Sequence, residues 1–283
     1  MEAKTVNKSP IISPLGIEVA PGVSIDYSDT GSGLPILLIH GWPLNKQMFE
    51  YQAQYLNKQG YRVITVSLRG FGKSSKPYGN YNYDQFAEDL HLVIESLGLQ
   101  NIVLGGFSMG AAVAIKYIAK YGDSNIYKLW MIGAAVPLYT KRDDYTYAGP
   151  TVQDVDALLV QLNRNRPSVI QSVGLALGAK DSLIIKEYLS WIFSMGIEAS
   201  LYATEQSLIA LRDTDLRDEI AKVQIPVTIF HGKKDQICPY LLAEQMQQTF
   251  SKSTLIPFEN SGHALLWEEM DRFHEELLIS LKS

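Results

Sequence analysis

Four short apolar runs, Pro35–His40, Arg62–Ser67, Asn101–Phe107 and Lys128–Ala134, punctuate the first half of the chain without strict alternation of apolar and polar positions. Strands buried on both faces of a sheet read this way. Between the runs the apolar spacing becomes helical. Gln47–Lys58 follows Asn45, a capping residue by type. Asp84–Leu97 carries Phe86, Leu90, Val93, Ile94 and Leu97 on one face and stops at Gly98. Met109–Tyr121 is rich in alanine and stops at Gly122. Strand and helix alternating at this pace predict βαβ units and a parallel sheet. Ahead of them, Ile17–Ala20 and Val23–Ser28 read as two short strands parted by the Pro21-Gly22 turn. Residues 1–16, polar with two prolines, read as a loosely held lead-in.

From Pro137 to Asp213 no strand-like run occurs, and amphipathic stretches take over: Val152–Asn163, Pro167–Leu177, Ser182–Met195 and Ile197–Arg212. The earlier rhythm then returns, with a strand at Pro226–His231, a helix at Tyr240–Thr249, a strand at Ser253–Phe258 and a helix at Ala264–Leu281. The expected organisation is an α/β core in two parts, residues 17–136 and 214–283, interrupted by an inserted helical cap at residues 137–213.

Composition narrows the function classes. The net charge of −5 disfavours binding to phosphate backbones, so nucleic acid is not an expected partner. The single cysteine, Cys238, excludes an intramolecular disulfide and a multi-cysteine zinc site. No apolar run has the length of a signal peptide core or a membrane span, which makes the cytoplasm the expected location. The expected partner is a small molecule, and self-association into a homo-oligomer is compatible with the sequence.

The chemistry concentrates at Gly106-Phe107-Ser108-Met109-Gly110, a G-x-S-x-G pattern where a buried strand meets an alanine-rich helix. A serine on so tight a turn needs very small neighbours, and the turn lifts its hydroxyl above the sheet. A serine hydroxyl also needs a base. Of the five histidines, His40 and His231 end buried strands and read as structural, while His91 and His274 lie in helices and read as exposed or half-buried. His263 lies in the loop between the last strand and the last helix, where site loops of parallel sheets gather. An orienting acid is expected between serine and histidine in chain order. Asp235 follows the Pro226–His231 strand, and Asp143 and Asp144 are the alternatives, with chain order favouring Asp235. The backbone N–H groups of Trp42, in His40-Gly41-Trp42-Pro43, and of Met109 are the candidate oxyanion donors. Gly72-Lys73-Ser74 is not the end of a phosphate-binding loop, because Ser67 stands where that loop needs glycine. Cys238 reads as an inert buried thiol.

Taken in order, His40-Gly41-Trp42-Pro43, Leu68-Arg69-Gly70-Phe71-Gly72-Lys73-Ser74, Gly106-Phe107-Ser108-Met109-Gly110, Asp213-Thr214-Asp215-Leu216-Arg217, His231-Gly232 with Asp235, and Gly262-His263 resemble the cofactor-free haloperoxidase and arylesterase branch of the α/β-hydrolases. The resemblance implies the α/β-hydrolase fold and a triad of Ser108, Asp235 and His263. It also implies oxyanion donors at the N–H groups of Trp42 and Met109, and neither metal nor haem. Members hydrolyse small esters, and many form peracids from short carboxylic acids and hydrogen peroxide. The chain departs from the branch at Ser67, where aspartate is usual, at Ala111, where glycine is more frequent, and at Lys233, often acidic in relatives.

The expected function is therefore ester hydrolysis through an acyl-serine, with a pocket walled by Trp42, Leu211, Ile237 and Tyr240 and given room by Ala135. Carbon–carbon bond hydrolysis or lactonase chemistry on the same fold is one alternative, and a non-catalytic receptor for a small ligand is another.

Overall fold

The structure is a computed structural model and describes residues 12–13, 16–180 and 182–282. Its strands are β1 (Ile12–Ser13), β2 (Gly16–Ala20), β3 (Val23–Ile25), β4 (Tyr27–Gly31), β5 (Pro35–Ile39), β6 (Arg62–Val66), β7 (Ile102–Phe107), β8 (Ile126–Ile132), β9 (Val227–Gly232) and β10 (Ser253–Phe258). Seven of them form one sheet in the order β10-β9-β8-β7-β5-β6-β4. All neighbours in it are parallel except β4, which pairs antiparallel with β6 at the edge.

Side chains alternate across the central strands and so feed two apolar layers. On β5, Leu37 and Ile39 join one layer with Leu104, Leu129, Met131 and Ile229, while Ile36 and Leu38 join the other with Val103, Trp130, Ile132 and Phe230. Helices α2 (Tyr83–Ser96) and α3 (Met109–Tyr121) close the first layer, and α1 (Glu50–Lys58) and the C-terminal helix close the second. A sheet covered on both faces explains why these strands lack a polar alternation.

The strand order places the site. The chain leaves β5, turns to β6 on one side, then crosses to β7 on the other. The loops after β5 and β7 therefore diverge and open a crevice at the carboxyl end of the sheet. Ile39 lies opposite Gly106 in the register, so the segments beginning at His40 and Ser108 leave the sheet side by side.

Between β8 and β9 the chain forms α4 (Val152–Ala176), α5 (Leu183–Glu198), α6 (Leu201–Asp213) and the short α7 (Arg217–Ile220). Thr151 and Asp154 cap α4 reciprocally. The α4 backbone breaks at Asn165, two residues before Pro167, whose ring cannot follow a regular preceding turn. That break separates the two helical stretches expected there. After α8 (Tyr240–Thr249) and β10, the last helix expected at Ala264–Leu281 is split into α9 (Leu265–Glu268) and α10 (Met270–Lys282). Glu269 between them is non-helical, and its carboxylate accepts from Asn260 N–H and Ser261 Oγ–H.

Two other readings change. β4 runs past Ser28 to Gly31, because Ser28-Asp29-Thr30 forms an edge strand whose polar side chains meet solvent. Within the expected lead-in, Ile12 and Ser13 pair with Ile17 and Gly16, and the remaining residues of 1–15 lie outside the described residues. Among the described residues no helix is long and apolar enough to cross a membrane.

Candidate active site

Ser108 occupies the single residue between β7 and α3, with φ 53° and ψ −116°. A left-handed φ at a non-glycine residue is held only where surroundings over-determine it, typically at about 1–3 kcal/mol. The Ser108 N–H donates to Ile132 C=O at 2.9 Å, and its C=O accepts from Ala111 N–H at 3.1 Å and Ala135 N–H at 3.3 Å. The glycines of the motif make the turn possible. A Cβ on Gly106 would collide with Gly110 and the Ala111 nitrogen, and one on Gly110 would collide with the Ile39 and His40 carbonyls. A Cβ on Gly41 would lie 2.7 Å from the Phe107 ring and 2.9 Å from the Ser108 Cβ, so the segment after β5 passes flush against the serine.

Asp235 follows β9 and sits in a buried nest. Its Oδ1 accepts the N–H groups of Ile237 and Cys238, both at 2.8 Å, and its Oδ2 accepts from His263 Nδ1 at 2.7 Å. Burial works to raise the carboxyl, but His263, His231 and their hydrogen bonds outweigh it and hold Asp235 well below the ordinary carboxylate range. Asp143 and Asp144 are exposed, and Asp144 pairs with Arg217 at 2.7 Å.

His263 follows β10 and is 1% exposed. Its ring packs against Phe107, with centroids 4.7 Å apart. The loop is fixed from the far side. Ala264 N–H donates to Leu177 C=O at 2.7 Å, and Gly262 lies too close to Gly178 and Ala179 to accept a Cβ. Because Nδ1 is bound to Asp235, the proton on that nitrogen faces the carboxylate and Nε2 carries the lone pair.

Ser108 and His263 line one cavity of about 340 Å³. Among the described residues neither the Ser108 hydroxyl nor His263 Nε2 has a hydrogen-bond partner. In unliganded sites such contacts are commonly long and tighten around substrate. The N–H groups of Trp42 and Met109 likewise meet no acceptor among the described residues. The Met109 N–H is the first of α3, where the helix dipole favours negative charge.

Trp42, Leu211 and Ile237 line the cavity as the sequence suggests, and the Trp42 indole N–H donates to Thr204 C=O on α6 at 3.0 Å. Ala135 does not line it. Its N–H donates to the Ser108 carbonyl at 3.3 Å. Tyr240 does not line it either, since it starts α8 with Lys233 Nζ 3.8 Å from its ring centre. The lining instead includes Leu158 and Val173 from α4, Leu208 from α6, and Tyr139, Leu177 and Gln236. Apart from Tyr139 these are ordinary polar or apolar positions, and helical spacing alone does not tell a cavity wall from a core contact.

The other histidines divide by environment. His40 is fully buried, accepts Leu68 N–H on Nε2 at 2.9 Å, and burial lowers its pKa to about 4 despite the opposing bond to Gly41 C=O. His91 stacks on Tyr121 at the surface. His274 is buried rather than half-exposed, because its ring stacks on Tyr55 at 4.3 Å. Burial pushes the Cys238 thiol up, which keeps it protonated.

The description alpha/beta hydrolase fold matches residues 35–270 of the chain. The chain is 41% identical over 258 residues to the AB hydrolase superfamily protein YisY of Bacillus subtilis, covering 91% of this chain and 95% of that one. An esterase from Exiguobacterium antarcticum is 43% identical with a TM-score of 0.89, covering 92% of this chain and 96% of the other. A bromoperoxidase from Bacillus anthracis is 33% identical, also with a TM-score of 0.89 and the same coverage. Strand order, elbow and extended similarity agree: the chain belongs to the α/β-hydrolase family, with esterases and haloperoxidases among its relatives.

Proposed function

We propose that the protein is a serine hydrolase that cleaves small carboxylic esters through an acyl-Ser108 intermediate. The observation that carries this reading is the convergence of a strained, buried serine and an aspartate-bound histidine on one largely apolar cavity. His263 Nε2 takes the Ser108 proton as the alkoxide attacks the ester carbonyl. The oxyanion is received by the N–H groups of Trp42 and Met109, each donor worth about 3 kcal/mol in the transition state. His263 then protonates the leaving alcohol and activates water for deacylation. Asp235 stays ionised, keeps the Nδ1–H tautomer and stabilises the imidazolium.

The cavity favours a neutral substrate. Among the described residues His263 is its only ionisable group besides the Tyr139 phenol, which burial pushes up and keeps protonated. Residues 137–213 act in this reading as a cap over the core formed by 17–136 and 214–283, with α4 and α6 supplying Leu158, Val173, Leu208 and Leu211. The similarity to the Bacillus anthracis bromoperoxidase supports a side reaction in which hydrogen peroxide replaces water and the product is a peracid.

Hydrolysis of p-nitrophenyl acetate by the wild type and by Ser108→Ala tests the reading. The expected loss is on the order of a thousandfold or more. Equal rates would remove Ser108 from the chemistry.

A further inference from the structure

His231, the next-to-last residue of β9, is fully buried and plays no part in the mechanism above. Its Nε2 lies 2.7 Å from the Cys238 carbonyl and 3.3 Å from Asp235 Oδ2. Both neighbours are acceptors, so a ring proton sits on Nε2, where it is donated to the Cys238 carbonyl with Asp235 Oδ2 beside it. The opposite nitrogen, Nδ1, is buried without a hydrogen-bond partner among the described residues. All polar contacts of this ring therefore point at the loop that carries Asp235.

We propose that His231 is a positioning residue, a second imidazole that shares the Asp235 carboxylate with His263 and pins the 235–238 loop. Asp235 then receives N–H groups from Ile237, Cys238 and His263 and has the His231 Nε2 3.3 Å from Oδ2, which leaves it no second orientation. The same loop contributes Gln236 and Ile237 to the cavity wall, so one ring sets both the acid and part of the wall. The His231 N–H lies beside Asp235 Oδ2 and offsets part of the carboxylate charge that faces His263. Removing that N–H leaves the full carboxylate charge facing His263. Among the described residues Cys238 and Tyr139 also feel Asp235, and both are pushed up by burial and neutral. Tyr240 stands edge-on to His231 at 6.1 Å, with Lys233 Nζ 3.8 Å from its ring centre.

This inference rests on the acyl-serine reading, and the test separates the two. Wild type, S108A, H231Q, H231N and H231F are compared for kcat and for the pH profile of kcat/KM on p-nitrophenyl acetate, with thermal midpoints alongside. Glutamine places an amide N–H where Nε2 stood, whereas asparagine is polar but too short and phenylalanine has no donor. H231N and H231F should lose kcat by about tenfold or more. Their acid limb should move upward by about half a pH unit or more. H231Q should restore most of kcat and the wild-type limb. If H231F fails to fold, the contrast between H231N and H231Q decides the matter. An unmoved limb in H231N, with kcat unchanged or falling equally in H231Q, overturns the proposal for His231 while an inactive S108A leaves the acyl-serine reading standing. An S108A enzyme as active as wild type overturns both.

Discussion

Glu268 Oε2 accepts the backbone N–H of Gly262, the residue before His263, at 2.7 Å. Its other oxygen accepts Ala179 N–H at 2.8 Å, from the segment that follows α4 and contributes Leu177 to the cavity wall. One carboxylate thus staples the His263 loop to the helical segment above it. Glu268→Gln leaves one acceptor and places an amide donor against the second N–H. The expected cost is about 1–3 kcal/mol of stability. A fall in kcat on p-nitrophenyl acetate should accompany it, because His263 loses its backbone support. Chemical denaturation and steady-state kinetics check the pair of effects, and wild-type values in both would show the staple to be idle.

The Asp235 nest makes a sharp prediction for Asp235→Asn. Oδ1 accepts two backbone N–H groups, so the amide oxygen of asparagine must stay there and its NH₂ must face His263. Two donors then oppose each other, and His263 turns to the other tautomer with its proton toward Ser108. The expected loss in kcat is on the order of 10⁴-fold, with the fold retained. Circular dichroism and ester kinetics measure the two halves of that statement.

Chain-length preference should follow the cavity wall. Leu158 reaches the cavity from α4, and its truncation opens apolar space without touching Ser108, Asp235 or His263. Leu158→Ala should raise the kcat/KM ratio of p-nitrophenyl hexanoate to acetate by about tenfold, the scale of one or two methylenes in an apolar pocket. An unchanged ratio would place the acyl chain elsewhere.

His40 predicts a window of acid sensitivity. Its pKa falls from 6.5 to about 4 on folding, chiefly through burial. The unfolded chain binds this proton first, so the contribution is complete above pH 6.5 and declines as pH falls towards 4. Its size is on the order of 3 kcal/mol. Asp235, held below the ordinary carboxylate range, contributes above pH 3.8 and is lost only at lower pH as its folded value is approached. Urea denaturation between pH 7 and 4 should therefore show a smaller loss in His40→Gln than in wild type, each relative to its own neutral-pH stability.

Much of this arrangement is legible in the sequence alone. The central strands announce themselves because both faces are buried, so Ile36–Ile39 and Ile102–Phe107 need no polar positions. Ser108 is marked by the strand before it, the helix after it and the glycines around it. Asp235 and His263 are marked by their places after successive strands, although only folding brings them to 2.7 Å. The pocket was less legible. Trp42, Leu211 and Ile237 reach the cavity and Ala135 and Tyr240 do not, because the facing of each side chain is decided by packing between distant elements. The same holds for His274, polar in type yet buried by its stack on Tyr55, and for Glu268, whose two partners lie on different loops. The edge strand β4 extends past its apolar residues because a strand with one solvated side does not carry a continuous apolar run.

The claim beneath all of this is that Ser108 becomes covalently acylated during turnover. Rapid acid quench of the enzyme with p-nitrophenyl butyrate, followed by peptide mass spectrometry, measures it directly. The account predicts a butyryl adduct on the peptide containing Ser108, formed within the first turnover and lost as the substrate is consumed. Continued turnover with that peptide unmodified throughout, or with the adduct on another residue, would contradict it.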